Sequence, residues 1–177
     1  MQHISETWKR IVAWHAANTP GGTFCLADGA TEAEVCSFES MIGSPLPEDI
    51  RESLLLHNGG EDAWLVHYGE LLSLAGMTQQ WHLYRQLREA DPDGGLEPRC
   101  IEGPIKPVWW YPKRVHLTDN SGDHIMADCD PAGGGRYGQI IEHSHEIGPT
   151  KVLAWSWREF LAQLALKQAS YRACAGG

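Results

Sequence analysis

The stretch Val115-His116-Leu117-Thr118-Asp119-Asn120-Ser121-Gly122-Asp123-His124-Ile125-Met126-Ala127-Asp128-Cys129-Asp130-Pro131 decides how this chain folds. It opens with a short run over residues 115–117, in which apolar residues flank His116. Asp119, Asn120, Ser121 and Gly122 then turn the chain. Asn, Asp and Ser close turns through side-chain to backbone hydrogen bonds, and Gly takes a positive φ without steric cost. A second run over 124–128 follows, and Asp130-Pro131 ends it. Strand, tight turn, strand predicts a hairpin whose turn is loaded with carboxylates.

Upstream of the hairpin the pattern is helical. Ile4, Trp8, Ile11, Val12 and His15 recur at helical spacing over residues 4–18, with Ser5 as a candidate cap and Asn18, Pro20, Gly21 and Gly22 as the stop. Thr31 with Glu34 three residues on is a capping box, opening a helix striped by Val35, Phe38 and Ile42 and ended by Gly43. Pro47 suits the first turn of a third helix, with Ile50, Leu54, Leu55 and Leu56 inward and Asn58-Gly59-Gly60 as its C-terminal stop. Short strands over 64–66 and 68–72 and a helix over 79–90 precede a surface loop rich in Asp, Pro and Gly, 91–104. Val108-Trp109-Trp110-Tyr111 follows between prolines. Adjacent side chains on a strand point to opposite faces, so one tryptophan is expected in the core and the other on the surface.

Downstream, residues 138–143 read as a strand and 151–154 as a further short run. Ser156 and Glu159 form a second capping box for the last helix, and the small, polar residues after Ala169 are expected to fray. Helices first, strands next and a closing helix predict an α+β fold: a mostly antiparallel β-sheet flanked by α-helices in a single domain. The parts are an N-terminal helix and linker (1–30), the main body (31–168) and a C-terminal tail (169–177).

Composition narrows the function. The 177 residues are 42% hydrophobic and 21% charged, a globular balance. The net charge is −9 and the pI near 5.4, which argues against nucleic-acid binding, where phosphate contacts need a basic face. Cys25, Cys36, Cys100, Cys129 and Cys174 are scattered with no C-x-x-C pair, as for reduced thiols in the cytoplasm. No run reaches the roughly 18 apolar residues of a membrane span.

Each familiar chemical motif fails on context. Gly133, Gly135 and Gly138 spell G-x-G-x-x-G, but Asp130-Pro131 precedes them and a β-rich segment follows, so no dinucleotide site is expected. An EF-hand counted from Asp119 puts His124 where glycine is required, and the flanks are strands. His143 and His145 share a face with His124 nearby, but no cysteine pair supports a zinc site. Glu142, Glu146, His143 and Asp128 can be assembled into an acid–base set, as any such composition allows. No catalytic residue, metal or cofactor is predicted.

Four stretches in order resemble the SUKH superfamily, which includes fungal cell-wall-assembly regulators and bacterial immunity proteins. They are Thr31-Glu32-Ala33-Glu34 through Ile42-Gly43; Leu46-Pro47-Glu48-Asp49-Ile50-Arg51 through His57-Asn58-Gly59-Gly60; Trp110 through Val115 to Asp130-Pro131; and Gly138-Gln139-Ile140-Ile141 through Ala154-Trp155-Ser156-Trp157-Arg158-Glu159-Phe160-Leu161. The N-terminal helix, the 91–104 insert and Trp157 depart from the family pattern. The resemblance implies a non-catalytic protein-binding fold. Its bacterial members imply an immunity protein whose partner is a cognate toxin domain, for which an acidic inhibitor complements a basic nuclease. Its fungal members imply, alternatively, a regulatory or scaffold module. Candidate partner contacts, chosen for exposed aromatic and acidic character, are Trp109, Trp110, Asp119, Asp123, Asp128 and Asp130.

Overall fold

The computed structural model describes residues 3–19, 24–90 and 100–174. Its helices are α1 (Ile4–Asn18), α2 (Glu32–Ile42), α3 (Glu48–Leu56), α4 (Leu74–Ala90) and α5 (Trp157–Cys174). Its strands are β1 (Cys25–Leu26), β2 (Gly60–Glu61), β3 (Trp64–Leu65), β4 (Gly69–Leu71), β5 (Arg114–His116), β6 (Thr118–Asp119), β7 (His124–Asp128), β8 (Gln139–Ser144) and β9 (Gly148–Ala154). The fold is α+β. An antiparallel sheet in the order β5-β7-β8-β9 is joined by two small antiparallel ladders, β1-β2 and β3-β4-β6.

The hairpin forms as its residues dictate. Val115 faces Ala127 and His116 faces Met126 across β5 and β7. At the tip, Asn120 and Asp123 bond each other's backbone, and Ser121 (φ 55°) and Gly122 (φ 97°) both hold positive φ. Two positive φ values at the centre of a two-residue loop match the right-handed twist of the strands. Register then sorts the side chains. Arg114, His116, Met126, His124, Ile141 and His143 share one face, and Val115, Ala127, Ile125 and Ile140 the other. Both faces are covered, so β5 and β7 are buried throughout.

Local capping chemistry sets both ends of α2 and the start of α5. Thr31 Oγ1 accepts from the Glu34 amide at 3.2 Å, and the Glu34 carboxylate accepts from the Thr31 amide at 2.7 Å. Gly43 closes α2 in the left-handed conformation at φ 68°. At α5, Ser156 Oγ accepts from the Glu159 amide, but the Glu159 carboxylate reaches back to the amide of Trp155, one residue beyond a standard box. At α1 the cap position is His3 rather than Ser5, and no side chain caps it. That helix is held by packing: Ile4, Trp8 and Ile11 are buried in the common core, worth about 1.5–3 kcal/mol each.

Two elements differ from expectation, and one residue, Asn58, explains both. Helix α3 ends at Leu56 with His57 extended, so Asn58-Gly59-Gly60 does not form its cap. Asn58 Oδ1 instead accepts from the Leu74 amide at 2.7 Å, and Ser73 Oγ accepts from the Gly76 amide. Those two caps start α4 at Leu74, five residues before the periodicity of Trp81 and Tyr84 announces it. The glycines admit close neighbours: a Cβ on Gly59 would lie 2.6 Å from the Ser73 nitrogen, and one on Gly60 would lie 2.0 Å from the Cys25 oxygen.

Residues 91–99 of the expected surface loop lie outside the described residues. Its last part is ordered against the sheet, where Glu102 bonds the backbone of Thr150 and Val152 beside β9. Beyond Gln168, α5 continues to Cys174 instead of fraying from Ala169, and residues 175–177 lie outside the described residues. No helix among the described residues is long and apolar enough to cross a membrane.

Candidate protein-binding site

The acidic turn presents an ordered surface. Asp119 Oδ1 accepts from the Gly122 amide at 3.0 Å, and Gln80 of α4 donates to Asp119 Oδ2 at 3.4 Å. Asp123 Oδ1 accepts from both the backbone nitrogen and Nδ1 of His145, at 3.0 and 2.9 Å. Burial alone would raise the Asp123 carboxyl, but the hydrogen bonds from His145 hold it below the usual carboxylate range. Both acids therefore shape the turn as well as charge it.

Beside the turn opens a cavity of about 220 Å³. Asn120 and Asp123 line it from the turn, His67 and Tyr68 from the β3–β4 loop, and Glu142, Ser144 and Thr150 from β8 and β9. The Glu142 carboxylate accepts from Thr150 Oγ1 at 2.8 Å and pairs with Lys151 at 3.3 Å. His67 sits at φ 70°, in the left-handed region that His enters more readily than most non-glycine residues. The result is a recess of mixed lining with two carboxylates, Asp123 and Glu142, among its residues.

The other predicted contacts are placed differently. Trp110 is 1% exposed, its Nε1 donating to the Arg114 carbonyl and its ring packed edge-on against Trp81. Trp109 is half-buried, stacked on Tyr84 at 4.8 Å and donating to the His145 carbonyl. Both rings turn inward because residues 108–111 are not a strand, so alternation does not apply. Asp128 is fully buried, where it accepts from Tyr111 Oη and Gln139 Nε2. Trp110 and Asp128 thus hold the structure and offer no exposed contact. Asp130 is half-buried and pairs with Lys106 at 2.7 Å; the hydrogen bond from Lys106 keeps its carboxyl low.

Sequence reasoning missed Arg114. Its fully buried guanidinium donates to the carbonyls of Lys106, Val108 and Trp109, and so pins the 106–109 segment to β5. Exposed aromatics lie elsewhere. Trp64 is 47% and Tyr137 48% exposed, and the Arg136 guanidinium sits 5.1 Å over the exposed Trp155 ring. Cys25, Cys36, Cys100 and Cys129 are unpaired, and burial pushes the Cys129 thiol up to about 12. Among the described residues, no three His, Cys, Asp or Glu side chains are arranged to hold a metal ion.

The chain is thus a helix-flanked antiparallel sheet with a notch beside its hairpin turn, into which Asp123 and Glu142 face. The SMI1/KNR4 family (SUKH-1) matches the chain over residues 29–163, and the chain belongs to that family. It is similar to the cell wall biosynthesis/cell cycle regulator smi1 of Schizosaccharomyces pombe, at 29% identity over 92% of this chain and 35% of that protein. It is also similar to the cell wall assembly regulator SMI1 of Saccharomyces cerevisiae, at 25% identity over 92% and 40%, and to the glucan synthesis regulatory protein of Neurospora crassa, at 23% over 92% and 38%. The chain spans about a third to two-fifths of the length of these relatives.

Proposed function

We propose that this chain is a non-catalytic, regulatory protein-binding module that engages its partner through the acidic turn and the adjoining notch. The carrying observation is family membership across the main body, shared with relatives named as regulators of cell wall assembly and glucan synthesis. Asp123 and Glu142 on the notch, with Asp119 in the adjoining turn, on a chain of net charge −9 support a partner with a basic contact surface. The same carboxylates also suit stoichiometric neutralisation of a basic toxin domain, but the named relatives weigh toward regulation.

The test uses Asn, because Asp119→Lys or Asp123→Lys would remove the acceptors that hold the turn. In the double variant Asp119→Asn and Asp123→Asn the carbonyl oxygens still accept, and two charges are gone. Association with an affinity-purified partner should slow by about tenfold, with a shallower dependence on salt. Unchanged rates and salt dependence would remove the turn from the interface. Co-expression with the toxin domain of a neighbouring gene separates the two readings, since only neutralisation predicts growth rescue.

A further inference from the structure

Three histidines lie buried on one face of the main sheet, and two of them, His124 and His143, form the inner lining of the notch beside the acidic turn. His116 and His143 are 0% exposed and His124 2%. His124 stands opposite His143 across the β7–β8 ladder, and the His116 and His124 rings approach to 4.6 Å. Tyr84 of α4 lies against all three rings at 4.5, 5.4 and 5.7 Å, and Trp109 lies against His143 at 5.5 Å. Two outward hydrogen bonds fix the tautomers: His124 Nδ1 donates to the Thr118 carbonyl at 2.7 Å, and His143 Nε2 donates to the Trp109 carbonyl at 2.9 Å. Nε2 of His124, Nδ1 of His143 and both nitrogens of His116 then have no protein partner. A neutral imidazole carries one N–H and one lone pair, so three lone pairs and one N–H are gathered in one buried cluster.

We propose that His116, His124 and His143 form a proton-operated latch that, when neutral, holds α4 and residues 106–111 on the sheet and, when protonated, releases them. A proton arriving here lands on a lone pair without an anion in hydrogen-bond contact. From β5, Arg114 adds a positive charge. From the turn after β8, His145 adds another when protonated, although it is engaged with Asp123. Asp119 reaches only Nδ1 of His124, at 3.8 Å, and Asp123 favours the charged forms of His124 and His143 without a hydrogen bond to either ring. From α4 comes Tyr84, whose hydroxyl burial keeps neutral. From residues 106–111, Lys106 is paired with Asp130 and Tyr111 with Asp128. A second proton puts imidazolium rings side by side, where like charges repel. The cover yields before the sheet does. It is held by ring contacts and separate side-chain hydrogen bonds, those of His143 and Arg114 to the carbonyls of residues 106–109 among them, whereas the strands keep their continuous ladder and an apolar opposite face.

The test follows the full chain from about pH 7.5 to about pH 4.5 by near-UV and far-UV circular dichroism, a range in which histidines titrate and most carboxylates do not. The near-UV tryptophan signal should fall with uptake of about two protons while the far-UV signal persists. In His116→Phe, an apolar ring replaces a titrating one, and the midpoint should drop by about one pH unit with one proton fewer. His143→Gln serves as the second variant, since its amide still donates to Trp109 and does not titrate. Simultaneous loss of both signals, or variant curves that overlay the parent curve, would overturn the latch.

Discussion

At the residue scale, single polar atoms at crossing points carry more of this structure than their number suggests. Ser53 Oγ accepts from Trp8 Nε1 at 2.9 Å and from Trp157 Nε1 at 3.1 Å, all three residues being buried. Ser53→Ala would strand two buried indole donors at about 1–3 kcal/mol each. We expect an overall loss of about 2–4 kcal/mol, read as a lower urea midpoint with an unchanged m-value. Arg114 works the same way on carbonyls. Neither role is written in the local sequence: Ser53 reads as the polar side of a helix, and Arg114 as a surface charge beside a strand. Trp110 and Asp128 were misplaced for the related reason that exposure depends on what folds over a residue, here the segment that Arg114 pins down. Asp119 is readable, because it bonds the Gly122 amide three residues on, whereas the bonds that His145 donates to Asp123 come from 22 residues away and are not.

At the element scale, boundaries governed by nearby chemistry were readable and those governed by distant partners were not. The Thr31–Glu34 box and the Asp119 to Gly122 turn involve residues three apart, and both form as their sequences require. The start of α4 depends on Asn58, sixteen residues upstream, which no local pattern reveals. Gly59 marks this junction. It combines φ 73° with a backbone neighbour 2.6 Å from any added Cβ. Gly59→Ala should cost more than the roughly 1–2 kcal/mol of left-handed strain alone, because the Ser73 backbone must also shift. The check is a thermal melt, with the Gly43→Ala variant as control: there φ is 68° but nothing lies within 4 Å, so only the strain is felt. An equal loss in both would show that the junction has room to adjust.

At the scale of the whole molecule, fold class and family followed from ordered motifs, while the histidine cluster required the sheet register that only the structure supplies. That cluster couples stability to pH. Burial lowers His116, His124 and His143, the last to about 3. Folded values thus lie below the unfolded value near 6.5, so the unfolded chain binds more protons as pH falls. Stability is full above about pH 6.5 and declines as pH falls toward the folded values, by up to about 1.4 kcal/mol per pH unit for each histidine. Chemical denaturation at a series of pH values should show this slope, made shallower in His116→Phe. The lowered carboxyls of Asp123 and Asp130 lose their contribution only in a second, more acidic window, below about pH 4. The Ser53 bridge also has a consequence in time. Trp8 and Trp157, which share its oxygen, are 149 positions apart in the chain. At a synthesis rate of roughly 5–20 residues per second, Trp8 is made about 7–30 s before its counterpart exists. Throughout that interval the apolar stripe of Ile4, Trp8 and Ile11 has no α5 to settle against, and nascent chains stalled before Trp157 are the form of this protein most in need of a chaperone.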